Sequence, residues 1–119
     1  MDNKEFGKLL EERSRNFSTA IMRLSFSLPD TDEGRVVRNR IAESGTNVGD
    51  NCLEILRSGS ESDFRNKISW YESLAGETEY WLEIIEAMNW IESCDLQSVR
   101  LELAEMLKIF TLIRKNIKN

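Results

Sequence analysis

Residues 44–82 read SGTNVGDNCLEILRSGSESDFRNKISWYESLAGETEYWL. The triplet Ser58-Gly59-Ser60 separates two stretches with helical spacing, so we interpret this segment as two helices folded back on each other. Gly59 suits the left-handed conformation that closes a helix. Ser60 and Asp63 form the S-x-x-D variant of a capping box, which marks the start of the next helix.

Apolar residues recur three or four positions apart on both sides of this turn, as on the buried face of a helix. We predict a second helix from about residue 33 to 57, capped by Thr31 or Asp32, and a third from about residue 61 to 88. The second helix should bury Val37, Ile41, Val48, Cys52 and Ile55. The third should bury Phe64, Ile68, Tyr71, Leu74 or Ala75, Thr78, Trp81 or Leu82, Ile85 and Met88.

The flanking segments have the same periodicity. A first helix is expected over about residues 3–27, capped by Asp2 or Asn3 and ending before Pro29. Its apolar positions recur at helical spacing: Phe6, Leu9 or Leu10, Phe17, Ile21, Leu24 and Leu28. A fourth helix follows Asp95, which can cap it. The apolar positions of the fourth helix form an unbroken heptad seam: Leu96, Val99, Leu103, Met106, Phe110, Ile113 and Ile117. Short connections make neighbouring helices antiparallel. The sequence therefore predicts an all-α fold, an up-down-up-down four-helix bundle.

The composition supports one helical domain over residues 1–119, because only 6 glycines and 1 proline are available for turns. No apolar run approaches the ~20 residues of a membrane span, and the charged N-terminal segment does not resemble a secretory leader. The two cysteines lack metal-binding spacing and suit a reducing cytoplasm. We expect a cytoplasmic protein without a membrane partner.

The absence of histidine bears directly on catalysis, because it removes the commonest general base and metal ligand. A di-iron bundle site needs Glu-x-x-His pairs, and no phosphate-binding glycine loop is present. We therefore expect no catalytic residues, no metal site, no cofactor and no enzymatic activity. The cysteines have no histidine partner, so Cys52 is interpreted as a core residue and Cys94 as an exposed thiol.

The second and third helices should face each other so that the numbers of opposing residues sum to about 120. This pairing places Gly45 against Ala75 or Gly76 in a close contact. Asn47 or Asn51 is expected to hydrogen-bond Glu72, and Glu54 to approach Arg65. The polar network expected beside the contact contains Ser44, Asn47, Asn51, Glu54 and Glu72. It is interpreted as a structural network that fixes the register, with a small ligand or ion site as the alternative.

Three segments carry a resemblance to a known bacterial family: residues 47–54 (NVGDNCLE), 62–67 (SDFRNK) and 77–82 (ETEYWL). Over roughly residues 13–115 the chain resembles the four-helix-bundle protein encoded in intervening sequences of large-subunit (23S) ribosomal RNA genes. That protein is in turn related to the accessory variability determinant of diversity-generating retroelements. Family members often carry arginine near positions 76 and 79, where this chain has Gly76 and Glu79.

The resemblance implies an antiparallel four-helix bundle that assembles into a ring, commonly a homopentamer, and it implies no catalysis. It also implies binding to nucleic acid or to a nucleic-acid enzyme such as a reverse transcriptase. The expected partners are therefore other copies of the chain and RNA or a nucleoprotein.

Charge is expected to be distributed unevenly along the bundle, although the net charge of −5 argues against a general nucleic-acid binder. One end gathers eight basic and five acidic side chains, and the other end five basic and ten acidic ones. The candidate nucleic-acid-binding residues at the basic end are Lys4, Lys8, Arg57, Arg65, Lys67, Arg114, Lys115 and Lys118. The alternative interpretation is favourable charge at the last turn of the fourth helix, together with solvation.

Trp70, Tyr80 and Ile84 lie off the main apolar stripe of the third helix and form a second strip. We interpret them as a candidate oligomer interface, because exposed aromatic residues are typical interface anchors. This interpretation supports a second functional class, a protein-binding or self-assembling scaffold with no nucleic-acid contact. RNA binding should weaken with salt, whereas aromatic docking should respond mainly to truncation of Trp70 or Tyr80.

Overall fold

The computed structural model describes residues 2–117, except for the side chains of Asn3, Asn116 and Ile117. It contains four helices: α1 (Asn3–Phe26), α2 (Asp32–Leu56), α3 (Glu61–Ala87) and α4 (Ser93–Ile117). The helices pack in the cyclic order α1–α2–α3–α4, and α4 also contacts α1. The all-α four-helix bundle predicted from the sequence is confirmed. No helix in the described part of the chain is long and apolar enough to cross a membrane.

Local capping residues set three of the four helix starts. The side chain of Asp2 accepts a hydrogen bond from the backbone N–H of Glu5 at 2.8 Å, and Thr31 accepts one from Gly34 at 3.0 Å. At α3 the Ser60 hydroxyl accepts a hydrogen bond from the N–H of Asp63 at 3.1 Å, as the capping sequence predicted. The prediction that Asp95 caps the fourth helix is wrong, because α4 begins at Ser93 and Asp95 lies in its first turn.

The connections differ in part from the sequence-based expectation. No described glycine has a positive φ, so Gly59 does not provide a left-handed cap for α2. The left-handed conformation occurs instead after α3, where Asn89 has a φ of 55°. Asparagine is the residue other than glycine that most often takes this position. Gly34 is needed for a different reason, because a Cβ there would overlap the carbonyl group of Pro29.

The core follows the predicted stripes closely. Aromatic and aliphatic side chains from all four helices are buried together, and Tyr71 meets Phe110 edge to face with ring centroids 5.3 Å apart. The stripes fail at their ends, because Phe6 and Met88 are exposed. The largest fully buried side chains are Tyr71, Phe110, Ile21, Ile41, Ile55, Ile68, Leu82, Ile85, Leu96 and Met106.

Gly45 and Gly49, in the middle of α2, face α1 and not α3. A Cβ added to Gly45 would lie 2.6 Å from Cγ2 of Ile21, and one added to Gly49 would lie 3.0 Å from the carbonyl oxygen of Ser14. Gly76 on α3 has nothing within 4 Å of such a Cβ. The predicted contact between Gly45 and the region of Ala75 is therefore wrong. The small residues allow close approach of α1 and α2, the preceding pair of helices.

Candidate nucleic-acid interface

One end of the bundle collects the start of α1, the end of α2, the start of α3 and the end of α4. This end carries the basic residues identified in the sequence. Lys118 lies outside the described residues, so seven of the eight candidates can be placed. Their surroundings divide them into two groups. Three are in ion pairs: Arg65, Lys67 and Arg114. Four are exposed: Lys4, Lys8, Arg57 and Lys115.

Three of these cations are neutralised by neighbouring carboxylates. Arg65 pairs with Glu61 at 3.2 Å along α3, and Arg114 of α4 pairs with Glu72 of α3. The Lys67 ammonium lies 3.0 Å from the nearer oxygen of Asp63 and also approaches Glu54. Asp63 has a pKa below its usual range because Lys67 and the N–H of Gly59 donate hydrogen bonds to it. These three cations contribute little free positive potential.

Lys4, Lys8, Arg57 and Lys115 are exposed, and none is in an ion pair with another described residue. We call these four residues the open cations. They come from α1, α4 and the C-cap of α2, so they surround the bundle end from several sides. An arrangement of this kind suits an extended polyanion better than a small anion.

The same end of the bundle also exposes apolar surface. Phe6 is 40% exposed near the start of α1, and Phe64 is half-buried near the start of α3. A shallow cavity of about 500 Å³ opens beside Phe64 and is lined by Ile55, Leu56, Ser58, Ser60, Glu61 and Phe64. Sequence reasoning assigned both phenylalanines to the core. Their position in the outermost layer of the bundle is the signal that would have marked them as accessible.

The opposite end is acidic, and its arginines are largely engaged. The guanidinium of Arg100 binds Glu79 at 2.6 Å and Glu86 at 2.9 Å, and both carboxylates raise the pKa of Arg100. Arg13, nearer the middle, is likewise held by Glu102 and Glu105 of α4. Arg38 donates to the carbonyl groups of Ser25 and Leu28, closing the end of α1. The charge asymmetry expected from the sequence is therefore present along the bundle axis.

The polar residues of α2 do not form the network that was predicted. Asn51 donates to the carbonyl oxygen of Lys67 at 3.0 Å, so it bridges α2 and α3 but does not bind Glu72. Asn47 is exposed, and the Ser44 hydroxyl is buried without a hydrogen-bond partner. The pairings of an asparagine with Glu72 and of Glu54 with Arg65 are both wrong, because Glu72 binds Arg114, Arg65 binds Glu61 and Glu54 lies nearest Lys67.

The second apolar strip of α3 is largely open to solvent. Trp70 is 58% exposed and Tyr80 is 54% exposed, and the ring of Tyr80 meets that of Trp81 edge to face. Ile84 is half-buried and packs against the core. The strip is therefore available to another molecule, and its role as an oligomer interface stays a prediction.

The bundle centre holds a polar cluster that sequence reasoning missed. The Cys52 thiol is fully buried beside the hydroxyls of Ser14 and Tyr71, and burial raises its pKa to about 11. A thiol of this kind stays protonated at neutral pH and is a poor nucleophile. Within residues 2–117, no group of three acidic or cysteine side chains is arranged to hold a metal ion.

Comparison with known proteins places the fold in a family. The sequence model of the 23S rRNA-intervening sequence protein matches residues 10–111 of the chain. The chain belongs to this family. One similar crystal structure is that of a protein with unknown function from the S23 ribosomal protein family from Bacteroides thetaiotaomicron VPI-5482. The two chains share 30% sequence identity and a TM-score of 0.80, over 89% of this chain and 98% of that chain.

No curated protein matches the chain significantly. The resemblance to the family encoded in ribosomal RNA intervening sequences is confirmed by the family match. The further relationship to the accessory determinant of diversity-generating retroelements stays a prediction, as do ring assembly and the contact with nucleic acid.

Proposed function

We propose that this protein is a non-enzymatic, oligomeric helical adaptor that binds structured RNA, alone or in a nucleoprotein, through its basic bundle end. The observation that carries the proposal is the set of open cations, Lys4, Lys8, Arg57 and Lys115. The family name links related proteins to 23S ribosomal RNA, which makes RNA the first polyanion to test. The proposal includes a cytoplasmic location.

The negative net charge of the chain is compatible with this proposal because the charges are separated in space. The acidic end would be repelled by phosphates, so an RNA strand would approach the basic end in one orientation. Four cations give weak binding per subunit. In a ring of subunits with the same orientation, such as the homopentamer implied by the resemblance, several basic ends would bind one RNA together and strengthen binding by multivalency.

The test is fluorescence anisotropy of a labelled structured RNA with the full-length protein at ~50 mM and ~200 mM salt. Binding should weaken steeply with salt, and the double variant Lys8→Glu and Lys115→Glu should weaken it further at low salt. The matched control is the double variant Arg23→Glu and Arg40→Glu, which makes the same charge change at two exposed sites towards the other end of the bundle. Absence of salt-dependent binding by the assembled protein would contradict the proposal.

A second candidate function is a self-assembling or protein-binding scaffold, favoured by the exposure of Trp70 and Tyr80 on α3. Here the strip of Trp70, Tyr80 and Ile84 would form the contact between subunits. Trp70→Ala and Tyr80→Ala should each lower the mass measured in solution by light scattering. Leu101→Ala is the matched control, because Leu101 is 61% exposed on a different helix. An unchanged mass in both strip variants would contradict this role for the strip.

A further inference from the structure

We infer that the strip of Trp70, Tyr80 and Ile84 on α3 packs against the exposed face of α1 in a second copy of this chain, with both copies in the same orientation. The inference rests on the oligomeric state proposed above and names the surface that receives the strip. The observation behind it is that α1 and α3 each carry an exposed row of residues with the same spacing, at matching heights and with complementary side chains.

The outer row of α3 contains the strip and lies between the two faces that α3 uses inside the bundle. On one side of the row, Glu72 and Glu79 bind arginines of α4. On the other side, the carbonyl oxygen of Lys67 accepts a hydrogen bond from α2. The members of this row recur every three or four residues and are exposed, except that the last is half-buried: Trp70, Ser73, Glu77, Tyr80 and Ile84.

The outer row of α1 has the same spacing and is exposed along its whole length. Inside the bundle α1 uses other faces, because Ser18 lies against Gly49 of α2 and Arg13 binds carboxylates of α4. Within the described residues α1 and α3 do not contact each other, so one copy presents its two outer rows to different neighbours, as a heterologous contact requires. The row on α1 contains Glu12, Arg15, Thr19, Met22 and Phe26.

The two rows lie at matching heights along the bundle axis. The Cys52 thiol lies beside the hydroxyls of Ser14 on α1 and Tyr71 on α3, so these two positions are level. Met22 is eight residues beyond Ser14, about 12 Å along α1. Tyr80 is nine residues beyond Tyr71, about 13.5 Å along α3, which runs in the same direction. Two copies side by side therefore bring Met22 and Tyr80 level, and their basic ends lie on one side.

Side chains at matching heights have complementary chemistry. Phe26 is 72% exposed, and contact with Ile84 would remove its ring from water. The thioether of Met22 would meet the ring of Tyr80, which is a favourable sulfur–aromatic contact. Each helix has its apolar pair in adjacent turns, so the two pairs would form one continuous apolar contact.

Charge favours α1 over a second α3 row as the occupant. Residues 69–99 contain seven acidic residues and neither lysine nor arginine. Glu77, in the middle of the α3 row, is in no ion pair with another described residue. A two-fold contact between α3 rows would bring these acids together. Arg15 of α1 lies between the levels of Trp70 and Glu77, where it would bind the carboxylate and lie over the indole. Its own neighbour, Glu11, is 3.8 Å away.

The exposed face of α4 is a poorer match for the strip. Leu101 and Leu112 are exposed there, but the charged Glu105 and Lys108 lie between them on the same face. Contact with α4 would therefore interrupt the apolar surface that α1 keeps continuous.

The experiment is disulfide cross-linking between copies in a Cys94→Ser background, which removes the exposed native thiol. Chains carrying Met22→Cys and chains carrying Tyr80→Cys are co-expressed and oxidised with copper phenanthroline. A cross-linked dimer should form in this mixture and in neither protein alone. The control mixture pairs Met22→Cys with Asn66→Cys, because Asn66 is exposed on the same face of α3 but about 21 Å lower. The control mixture should not cross-link.

Charge exchange provides a second measurement that leaves both apolar pairs intact. Arg15→Glu and Glu77→Arg should each raise the concentration at which the assembly dissociates by at least about fivefold, and the two changes together should restore most of the loss. Light scattering over a dilution series measures the dissociation, and circular dichroism checks that the helices are intact. Arg40→Glu is the control, because Arg40 is exposed on α2.

The outcomes separate this inference from the proposed function. A cross-link in the Tyr80→Cys protein alone would overturn the inference in favour of a two-fold contact between α3 rows. A cross-link of Tyr80→Cys to Leu101→Cys in place of Met22→Cys would assign the strip to α4. No cross-link in a protein that light scattering shows to be assembled would overturn the inference and keep the oligomeric state. A protein that is monomeric at every concentration would overturn both. RNA binding is measured separately, so its failure would leave this contact standing.

Discussion

The seam between α1 and α2 and the seam between α3 and α4 are built by different physical means. α1 and α2 approach closely because Gly45 and Gly49 leave room for side chains of α1. α3 and α4 stand apart around Ala75, Gly76 and Ala104, which line an open groove, and arginine ion pairs span the two helices. Close packing leaves no room for substitution, whereas an open groove tolerates it. The same residue type, glycine, should therefore respond to mutation with opposite signs in the two seams.

Gly45→Leu should produce the largest effect, a loss of about 1–3 kcal/mol or more in the free energy of unfolding. Even a single added carbon would lie 2.6 Å from the fully buried Ile21. Chemical denaturation followed by circular dichroism measures the change.

Gly76→Ala is the matched control for this seam comparison. Nothing lies within 4 Å of a Cβ at Gly76, so the substitution should stabilise the protein by about 0.4–1 kcal/mol through helix propensity and reduced entropy of the unfolded chain. Destabilisation of similar size at both glycines would contradict the difference between the seams.

The second prediction concerns pH and the core beside the α1–α2 seam. Burial raises the pKa of the Cys52 thiol from 9.0 to about 11, so the folded state holds this proton more tightly than the unfolded chain does. The stabilisation is complete below about pH 9 and is lost as the pH rises towards 11, by about 1.4 kcal/mol per pH unit. Urea denaturation at pH 8, 9 and 10 measures the slope.

Cys52→Ala is the control for this titration, because it removes the thiol and leaves the buried Tyr71 hydroxyl, whose pKa is also raised, in place. The variant should be less stable at every pH but should lose less stability between pH 9 and 10 than the unsubstituted protein. Parallel pH profiles for the two proteins would show that Cys52 titrates normally.

The contrast between the seams also marks what sequence reasoning could and could not resolve. Helix boundaries were predictable within one or two residues at most ends, since Asp2, Thr31 and Ser60 cap them locally. The helix that Gly45 faces was not predictable from the sequence. α2 has a neighbour on each side, and the apolar periodicity does not say which neighbour a given residue meets. Gly45 and Asn51 are six residues apart, about 120° around the helix, so they face different neighbours.

At the candidate interface, too, the sequence predicts which residues share a bundle end but not which side chains meet across helices. The basic end was predictable from topology, and the pairing of Arg65 with Glu61 could have been read from their i, i+4 spacing. The pairing of Arg114 with Glu72 depends on the rotation of α4 against α3, which the sequence does not specify. The accessibility of Phe6 depends on how completely the last layer of the core closes, which is also a property of the assembled bundle.

The third prediction tests the polar contact between the two seams. Asn51 is buried and donates to the carbonyl oxygen of Lys67, which joins α2 to α3. Asn51→Ala should lower the free energy of unfolding by about 1 kcal/mol, because the hydrogen bond is lost. Asn47→Ala is the control, since Asn47 is exposed on the same helix and should change stability little. Equal losses in the two variants would mean that the hydrogen bond adds nothing beyond helix propensity.

The smallest effect is expected at the ion pairs that span α3 and α4. Arg100 binds Glu79 and Glu86, and its side chain is 21% exposed, so the interaction is only partly screened by water. Arg100→Met keeps most of the apolar packing and should cost about 0.5–1 kcal/mol at low salt. The difference from the unsubstituted protein should shrink in ~1 M salt, where the Debye length is about 3 Å. Lys108→Met is the control, because Lys108 is exposed on the same helix and is in no ion pair with another described residue. If salt left the Arg100→Met difference unchanged, the contribution of Arg100 would come from packing, and the α3–α4 seam would resemble the α1–α2 seam after all.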